Sequence, residues 1–77
     1  MKTIQILGTG CPKCNTLAEN ARQAVENTGA DAQIVKVTDI NEIMSFGVMI
    51  TPALAIDGEV KSTGKVLSPD AIAQLIG

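Results

Sequence analysis

A break in the chain after its first apolar segment constrains the fold more than any other feature of this sequence. Residues 3–7 alternate between polar and apolar side chains and are followed by the chain breaker Gly-Thr-Gly at 8–10. Apolar residues then recur every three or four positions for about four turns, until Gly29 stands where a left-handed helix cap belongs. We therefore predict a strand, a tight loop and a long helix, with Pro12 tolerated in the first helical turn.

The next segment predicts a second strand and a short helix. Residues 32–37 alternate weakly and follow a helical connection, which implies that this strand runs parallel to the first. Asp39 and Glu42 have the spacing of a capping box, and the apolar edge that follows ends at Gly47. The sequence thus predicts a strand-helix-strand unit followed by a second, shorter helix.

The last third of the chain predicts a hairpin and a terminal helix. Strands at 53–56 and 59–62 flank an Asp-Gly turn, and Ser-Pro-Asp at 68–70 is a good helix start. The expected order is β-α-β-α-β-β-α, an α/β fold with a compact four-stranded mixed sheet and three helices. We expect the first and third helices on one face of the sheet and the second on the other, within a single domain spanning 1–77.

The absence of histidine excludes several classes of enzyme and metal site. Without it, the 77-residue chain has no Ser/His or Cys/His nucleophile pair, no histidine acid or base, and no mixed Cys/His zinc finger. A net charge of −2 and a single aromatic residue, Phe46, argue against a basic groove or a stacking platform. No nucleic-acid partner is expected.

The N-terminal segment indicates the expected compartment. Residues 1–7 lack the long apolar region and the small-residue cleavage site of a signal peptide. No apolar run approaches the roughly 20 residues of a membrane-spanning helix. We therefore expect a cytoplasmic protein with no membrane partner.

Cys11 and Cys14 form a Cys-x-x-Cys motif that allows three interpretations. As a structural disulfide they would close a loop of four residues, which stabilises a fold by only about 1.9 kcal/mol in the loop-entropy treatment. As a zinc site they would supply two of the four ligands that structural zinc takes. Two thiolates can hold Cu(I), so a carrier of Cu(I) or another soft metal remains the alternative to a redox role.

The redox interpretation uses all the local features together. Cys11, at the start of the first helix, faces free backbone amides and the positive end of the helix dipole, which favour the thiolate. A pKa near 7 in place of 8.5 would raise the thiolate fraction at pH 7 from about 3% to one half. With no histidine in the chain, this activation must come from the helix N-terminus, Lys13 and solvent. Cys14, one turn further in, can then resolve a mixed disulfide formed at Cys11.

Thr51-Pro52 opens the third predicted strand, at a position where an X-Pro bond has reason to be cis, although the sequence allows cis or trans. A cis bond would place the Ile50-Thr51 backbone beside Cys11, where an extended substrate segment could pair with it as an added strand.

Three further apolar residues, Met44, Phe46 and Met49, are expected to fill the core. Met49 has two alternative roles because it is close in sequence to Pro52. It could form part of an apolar docking surface beside the thiols, or it could act as a third copper ligand.

These motifs resemble the thioredoxin and glutaredoxin superfamily over nearly the whole chain. The resemblance is carried by Gly-Cys-Pro-Lys-Cys opening a helix at 10–14 and by Thr-Pro at 51–52 before an Asp-Gly hairpin and a final helix. The segments ILGTGCPKC at 6–14, VTDI at 37–40 and GVMITPAL at 47–54 more closely resemble the small redox-active disulfide proteins, thioredoxin-like chains of about this size.

The resemblance implies a thioredoxin-like fold and a disulfide oxidoreductase. Cys11 would be the nucleophile, Cys14 the resolving thiol and Pro52 the cis-proline. We expect the substrate to contact six residues, namely Gly10, Pro12, Lys13, Ile50, Thr51 and Pro52. The expected partners are protein disulfides and a thioredoxin-reductase-like electron donor, and we expect a monomer that needs no metal or other cofactor.

Overall fold

Strands and helices follow one another along the chain in the order that the sequence predicts. The computed structural model describes residues 2–76; Met1 and Gly77, the ends of the expected 1–77 domain, lie outside the described residues. The elements are β1 (Lys2–Leu7), α1 (Pro12–Thr28), β2 (Ala32–Val37), α2 (Ile40–Ser45), β3 (Ala53–Ile56), β4 (Glu59–Thr63) and α3 (Pro69–Ile76). The order β-α-β-α-β-β-α is confirmed, with β1 and β4 each one residue longer than expected.

The four strands form one mixed sheet in the order β2-β1-β3-β4. β1 pairs in parallel with β2, where Leu7 lies opposite Val37, and antiparallel with β3, where Leu7 lies opposite Ala53. β3 and β4 form the antiparallel hairpin predicted from Asp-Gly, and both turn residues have positive φ angles, 52° for Asp57 and 84° for Gly58. The left-handed conformation of these two residues matches the tight turn that this dipeptide favours.

The helices lie on the two faces of the sheet as the alternating pattern predicts. One face of β1 and β3 packs with α1 and α3 in a buried cluster that includes Ile4, Leu17, Leu54 and Ile72. The other face carries a smaller cluster, in which Ile43 of α2 is buried with residues from three strand ends and one loop, namely Leu7, Val37, Ala53 and Val48. The larger cluster anchors α1 along its length, and the smaller one covers the sheet end from which α1 departs.

Helix α1 begins and ends at the residues that its sequence indicates. Cys11 is its N-cap, Pro12 is its first residue, and Gly29 ends it in the left-handed conformation with φ 65°. The Gly29 N–H donates to the Val25 carbonyl at 3.0 Å, which satisfies one of the carbonyls left free at the helix end.

The expected core role is wrong for two of the three large apolar residues near α2. Met44 is 64% exposed and Met49 is 96% exposed, whereas Phe46 packs against the smaller cluster. The reason is that α2 has only six residues and buries only Ile43. Met49 follows in the loop before β3 and reaches neither cluster.

Between Lys2 and Ile76 there is no helix that combines the length and the apolar character needed to cross a membrane.

Candidate functional site

The two cysteines lie at the end of the sheet where three connecting segments meet. Leu7 is the last residue of β1 and has Val37 on one side and Ala53 on the other. The Gly8 N–H extends the ladder by one hydrogen bond, to the Val37 carbonyl at 3.0 Å. The loop that leads to Cys11, the segment that follows β2 and the segment that precedes β3 therefore all lie at the same end of the sheet.

Cys11 is held at the N-terminus of α1 with its sulfur directed at the free amides of the first turn. Its backbone is extended, with φ −68° and ψ 163°, and its Sγ accepts a hydrogen bond from the Cys14 N–H at 3.4 Å. The hydrogen bond with the Cys14 thiol, followed by that backbone amide, lowers the pKa of Cys11, and the Lys13 backbone N–H acts in the same direction. These donors stabilise the thiolate because they satisfy its negative charge.

Cys14 lies in contrasting surroundings on the inner side of α1. It is only 5% exposed, and its pKa is raised, first by burial and then by the hydrogen bond to Cys11. Both thiols are free, with their Sγ atoms 2.7 Å apart. Bonding them requires the sulfurs to approach by only about 0.7 Å. The pair thus combines a partly exposed thiol whose pKa is lowered with a buried thiol whose pKa is raised, and the two are within reach of each other.

Gly8 is a contact of the site that the sequence did not reveal. The residue is buried, and a Cβ atom at this position would lie 2.2 Å from the Cys14 Sγ. A Gly-Thr-Gly break is sufficiently explained by the turn that it makes, so nothing in the local pattern points to a contact with the second cysteine. Gly10, by contrast, has a φ of 95° and open space around a Cβ position, so glycine is needed there for the conformation of the chain.

The Thr51-Pro52 peptide bond is cis, the first of the two states that the sequence left open. The Pro52 side chain is fully buried, and its carbonyl accepts a hydrogen bond from the Gly64 N–H at 2.8 Å. Ile50 is 63% exposed and lies against Gly64, where a Cβ atom would be 2.9 Å from the Ile50 Cγ2. The end of β4 therefore supports the segment that carries the cis-proline.

An apolar cavity of about 320 Å³ joins the loop before Cys11 to the segment before Pro52. Thr9 from the first segment and Thr51 from the second both line it, and the remaining lining residues are Ile40, Ile43, Met44, Val48 and Met49. Gly10, Pro12 and Lys13 are exposed around Cys11. A larger cavity of about 580 Å³, between β4 and α3, contains none of the predicted site residues.

Within the stretch from Lys2 to Ile76, no group of three or more His, Cys, Asp or Glu side chains could hold a metal ion.

Known proteins with similar sequences agree with this fold. The family model for the thioredoxin domain matches residues 2–77. A thioredoxin of Methanocaldococcus jannaschii is 50% identical over 74 residues, which cover 96% of this chain and 85% of the relative. A thioredoxin of Methanothermobacter thermautotrophicus is 42% identical over 76 residues, which cover 99% of each chain. The chain therefore belongs to the thioredoxin domain family, and it is a dithiol-disulfide oxidoreductase.

Proposed function

We propose that this protein reduces or exchanges disulfides of protein substrates, with Cys11 as the nucleophile and Cys14 as the resolving thiol. The observation that supports these roles is the asymmetry of the pair. The pKa of the partly exposed Cys11 is lowered, whereas the pKa of the buried Cys14 is raised. The thiolate is the attacking species in disulfide exchange, so the thiol that ionises first and meets the solvent attacks first.

The proposed reaction has two exchange steps. The Cys11 thiolate attacks one sulfur of the substrate disulfide, which forms a mixed disulfide and releases the other substrate sulfur as a thiolate. Cys14 then gives up its proton, which passes through solvent to the substrate sulfur that leaves in this step, and attacks the Cys11 Sγ, 2.7 Å away in the free protein. This step closes the Cys11–Cys14 disulfide and releases the second substrate thiol, so that two electrons have passed from the enzyme to the substrate.

Six residues around the thiols are proposed to contact the substrate. Five of them are exposed, namely Gly10, Pro12, Lys13, Ile50 and Thr51. Pro52 is buried, so we propose that it acts through the backbone of Thr51, which an extended substrate segment would meet as an added strand. The exposed side chains of Ile40, Met44 and Met49 would receive apolar residues that flank the substrate disulfide.

The cellular setting is part of the same proposal. The oxidised protein would be returned to the dithiol by a thioredoxin-reductase-like electron donor. We propose that it works as a monomer, as a single domain spanning 1–77, in the cytoplasm, where a reducing environment keeps such thiols available. Protein disulfides and this donor are its proposed partners, without nucleic acid, membrane or cofactor.

The test is a Cys14→Ser variant exposed to a small model disulfide, with the mixed disulfide at Cys11 followed by mass spectrometry as a function of pH. We expect a stable adduct that forms with an apparent pKa below the ordinary cysteine value of about 8.5. The matched variant, Cys11→Ser, should form little adduct because its remaining thiol is buried. A Cys14→Ser protein that forms no adduct would contradict the proposal.

The same samples test the alternative of a soft-metal carrier. A carrier would bind Cu(I) tightly at one ion per chain and would lose this binding in either cysteine variant. Tight stoichiometric Cu(I) binding without adduct formation at Cys11 would favour the carrier.

A further inference from the structure

Gly8 lies where the end of β1 meets the buried thiol of Cys14. A Cβ atom at Gly8 would be 2.2 Å from the Cys14 Sγ and 3.1 Å from the Cys14 Cβ. Unlike Gly10, Gly8 has no positive φ angle, so its backbone conformation is open to any residue. Glycine is therefore needed at this position for the space that it leaves and not for the shape of the chain.

Both backbones that flank this contact are held in place. The Gly8 N–H donates to the Val37 carbonyl at 3.0 Å, and the preceding Leu7 is fully buried between two strands. On the other side, α1 is anchored by Leu17, which is also fully buried, one turn beyond Cys14. A methyl group at Gly8 could therefore be accommodated most easily if the Cys14 side chain rotated.

Such a rotation would separate the two sulfurs. Side chains occupy staggered positions, and a change from one to another moves a γ atom by about 3 Å. The Cys14 Sγ now lies 2.7 Å from the Cys11 Sγ, and this proximity is what a direct attack between the two sulfurs requires. A side chain at Gly8 would thus lengthen the distance over which the proposed second exchange step takes place.

We propose that Gly8 is a positioning residue for the resolving step, because its missing side chain leaves the space in which the Cys14 thiol faces the Cys11 sulfur. This inference rests on the proposed roles of the two cysteines. It goes beyond them because it assigns the geometry of the pair to a residue outside the Cys-x-x-Cys motif.

The test is a Gly8→Ala variant in which the two exchange steps are measured separately. Adduct formation at Cys11 is followed with a small model disulfide, and the rate is corrected for the thiolate fraction from a pH titration. Closure of the Cys11–Cys14 disulfide is followed as release of the second thiol. We expect closure to slow by about tenfold to a hundredfold, the scale of a misplacement of about 1 Å or more, while corrected adduct formation changes by less than about threefold.

The matched control is Gly29→Ala at the far end of α1. Gly29 has a φ of 65° and nothing within 4 Å of a Cβ position, so alanine strains the backbone without approaching the thiols. We expect Gly29→Ala to lower the melting temperature and to leave the closure rate unchanged. If both variants slowed closure to the same extent, the effect would come from general destabilisation and the inference would be overturned.

A second measurement applies even if Gly8→Ala folds poorly. The substitution is introduced into the wild-type protein and into a Cys14→Ala background, where the atom 2.2 Å away is gone and only the 3.1 Å contact with Cβ remains. We expect the loss in melting temperature to be less than half as large in the second background. Equal losses in the two backgrounds would overturn the inference.

The outcomes also separate this inference from the proposed function. A Cys14→Ser protein that forms no adduct at Cys11 contradicts the proposed function itself. A wild-type protein that completes both steps, with a Gly8→Ala variant that closes equally fast, overturns only the role of Gly8.

Discussion

The Cys14 backbone N–H donates to the Cys11 Sγ at 3.4 Å, while the Cys14 Sγ lies 2.7 Å from the same atom. Cys14 therefore acts on Cys11 twice, through its amide and through its thiol. Because the first of these contacts comes from the helix backbone and the second from a side chain, substitutions can separate them.

A Cys14→Ala substitution is expected to raise the pKa of Cys11 toward the ordinary value of about 8.5. The reason is that the hydrogen bond from the Cys14 thiol is the largest of the influences that lower this pKa, and alanine removes it while keeping the backbone amide. A Cys14→Ser variant retains a hydroxyl donor and should give a smaller rise. The ultraviolet absorbance of the thiolate, followed against pH, measures both, and an unchanged pKa in Cys14→Ala would show that the backbone amides act alone.

The reduced protein is compared with a variant in which both cysteines are replaced by serine. The difference between their free energies of unfolding is expected to pass through a maximum near pH 8.5. The pKa of Cys11 is lowered in the folded state, so ionisation of Cys11 stabilises the fold. This stabilisation appears as the pH rises through the lowered pKa and is complete above the unfolded value of about 8.5. The pKa of Cys14 is raised, so stability falls again as the pH rises from about 8.5 to that raised pKa.

Urea unfolding of the two proteins under reducing conditions, repeated across this range of pH, measures the difference. The oxidised protein serves as the control because it has no titrating thiol, and its difference curve should be flat. A monotonic curve for the reduced protein would contradict the opposite shifts of the two thiols.

Truncation of a large apolar residue is expected to destabilise the fold inside the larger cluster and to leave its stability nearly unchanged beside the cavity. Leu17→Ala should lower the free energy of unfolding by about 2–5 kcal/mol, since Leu17 is fully buried against the sheet. Met49→Ala should change it by less than about 0.5 kcal/mol, because Met49 is almost fully exposed. Urea unfolding measures both changes. A large loss of unfolding free energy in Met49→Ala would contradict the exposed position of this side chain.

The exposed methionines are instead expected to affect the use of protein substrates. Met44→Gln and Met49→Gln should each raise KM for a protein disulfide by about threefold to tenfold, which corresponds to roughly 1 kcal/mol of lost apolar contact. Turnover of a small-molecule disulfide should not change, because such a substrate reaches Cys11 without covering the cavity.

Val35→Thr is the control for these two variants. It replaces a partly exposed apolar residue of β2 that does not line the cavity. It should leave KM for both substrates unchanged. Equal effects on both kinds of substrate in the methionine variants would argue against a docking role.

Much of this fold follows from short stretches of sequence. The alternation before Gly8, the helical spacing that ends at Gly29 and the Asp57-Gly58 turn each predict one element, and each depends on backbone and side-chain preferences within a few residues. The placement of Cys11 at a helix N-terminus is local in the same sense, since the N-cap residue and the amides it meets lie within one turn.

Other features were decided only by the tertiary structure. The exposure of Met44 and Met49 depends on how little of the sheet a six-residue helix covers, which no apolar pattern in α2 expresses. The contact between Gly8 and Cys14 depends on the angle at which α1 leaves the end of β1 and on the direction of one side chain. A sequence pattern records which side chains are apolar and how they are spaced, whereas these outcomes depend on which surfaces the folded elements bring together.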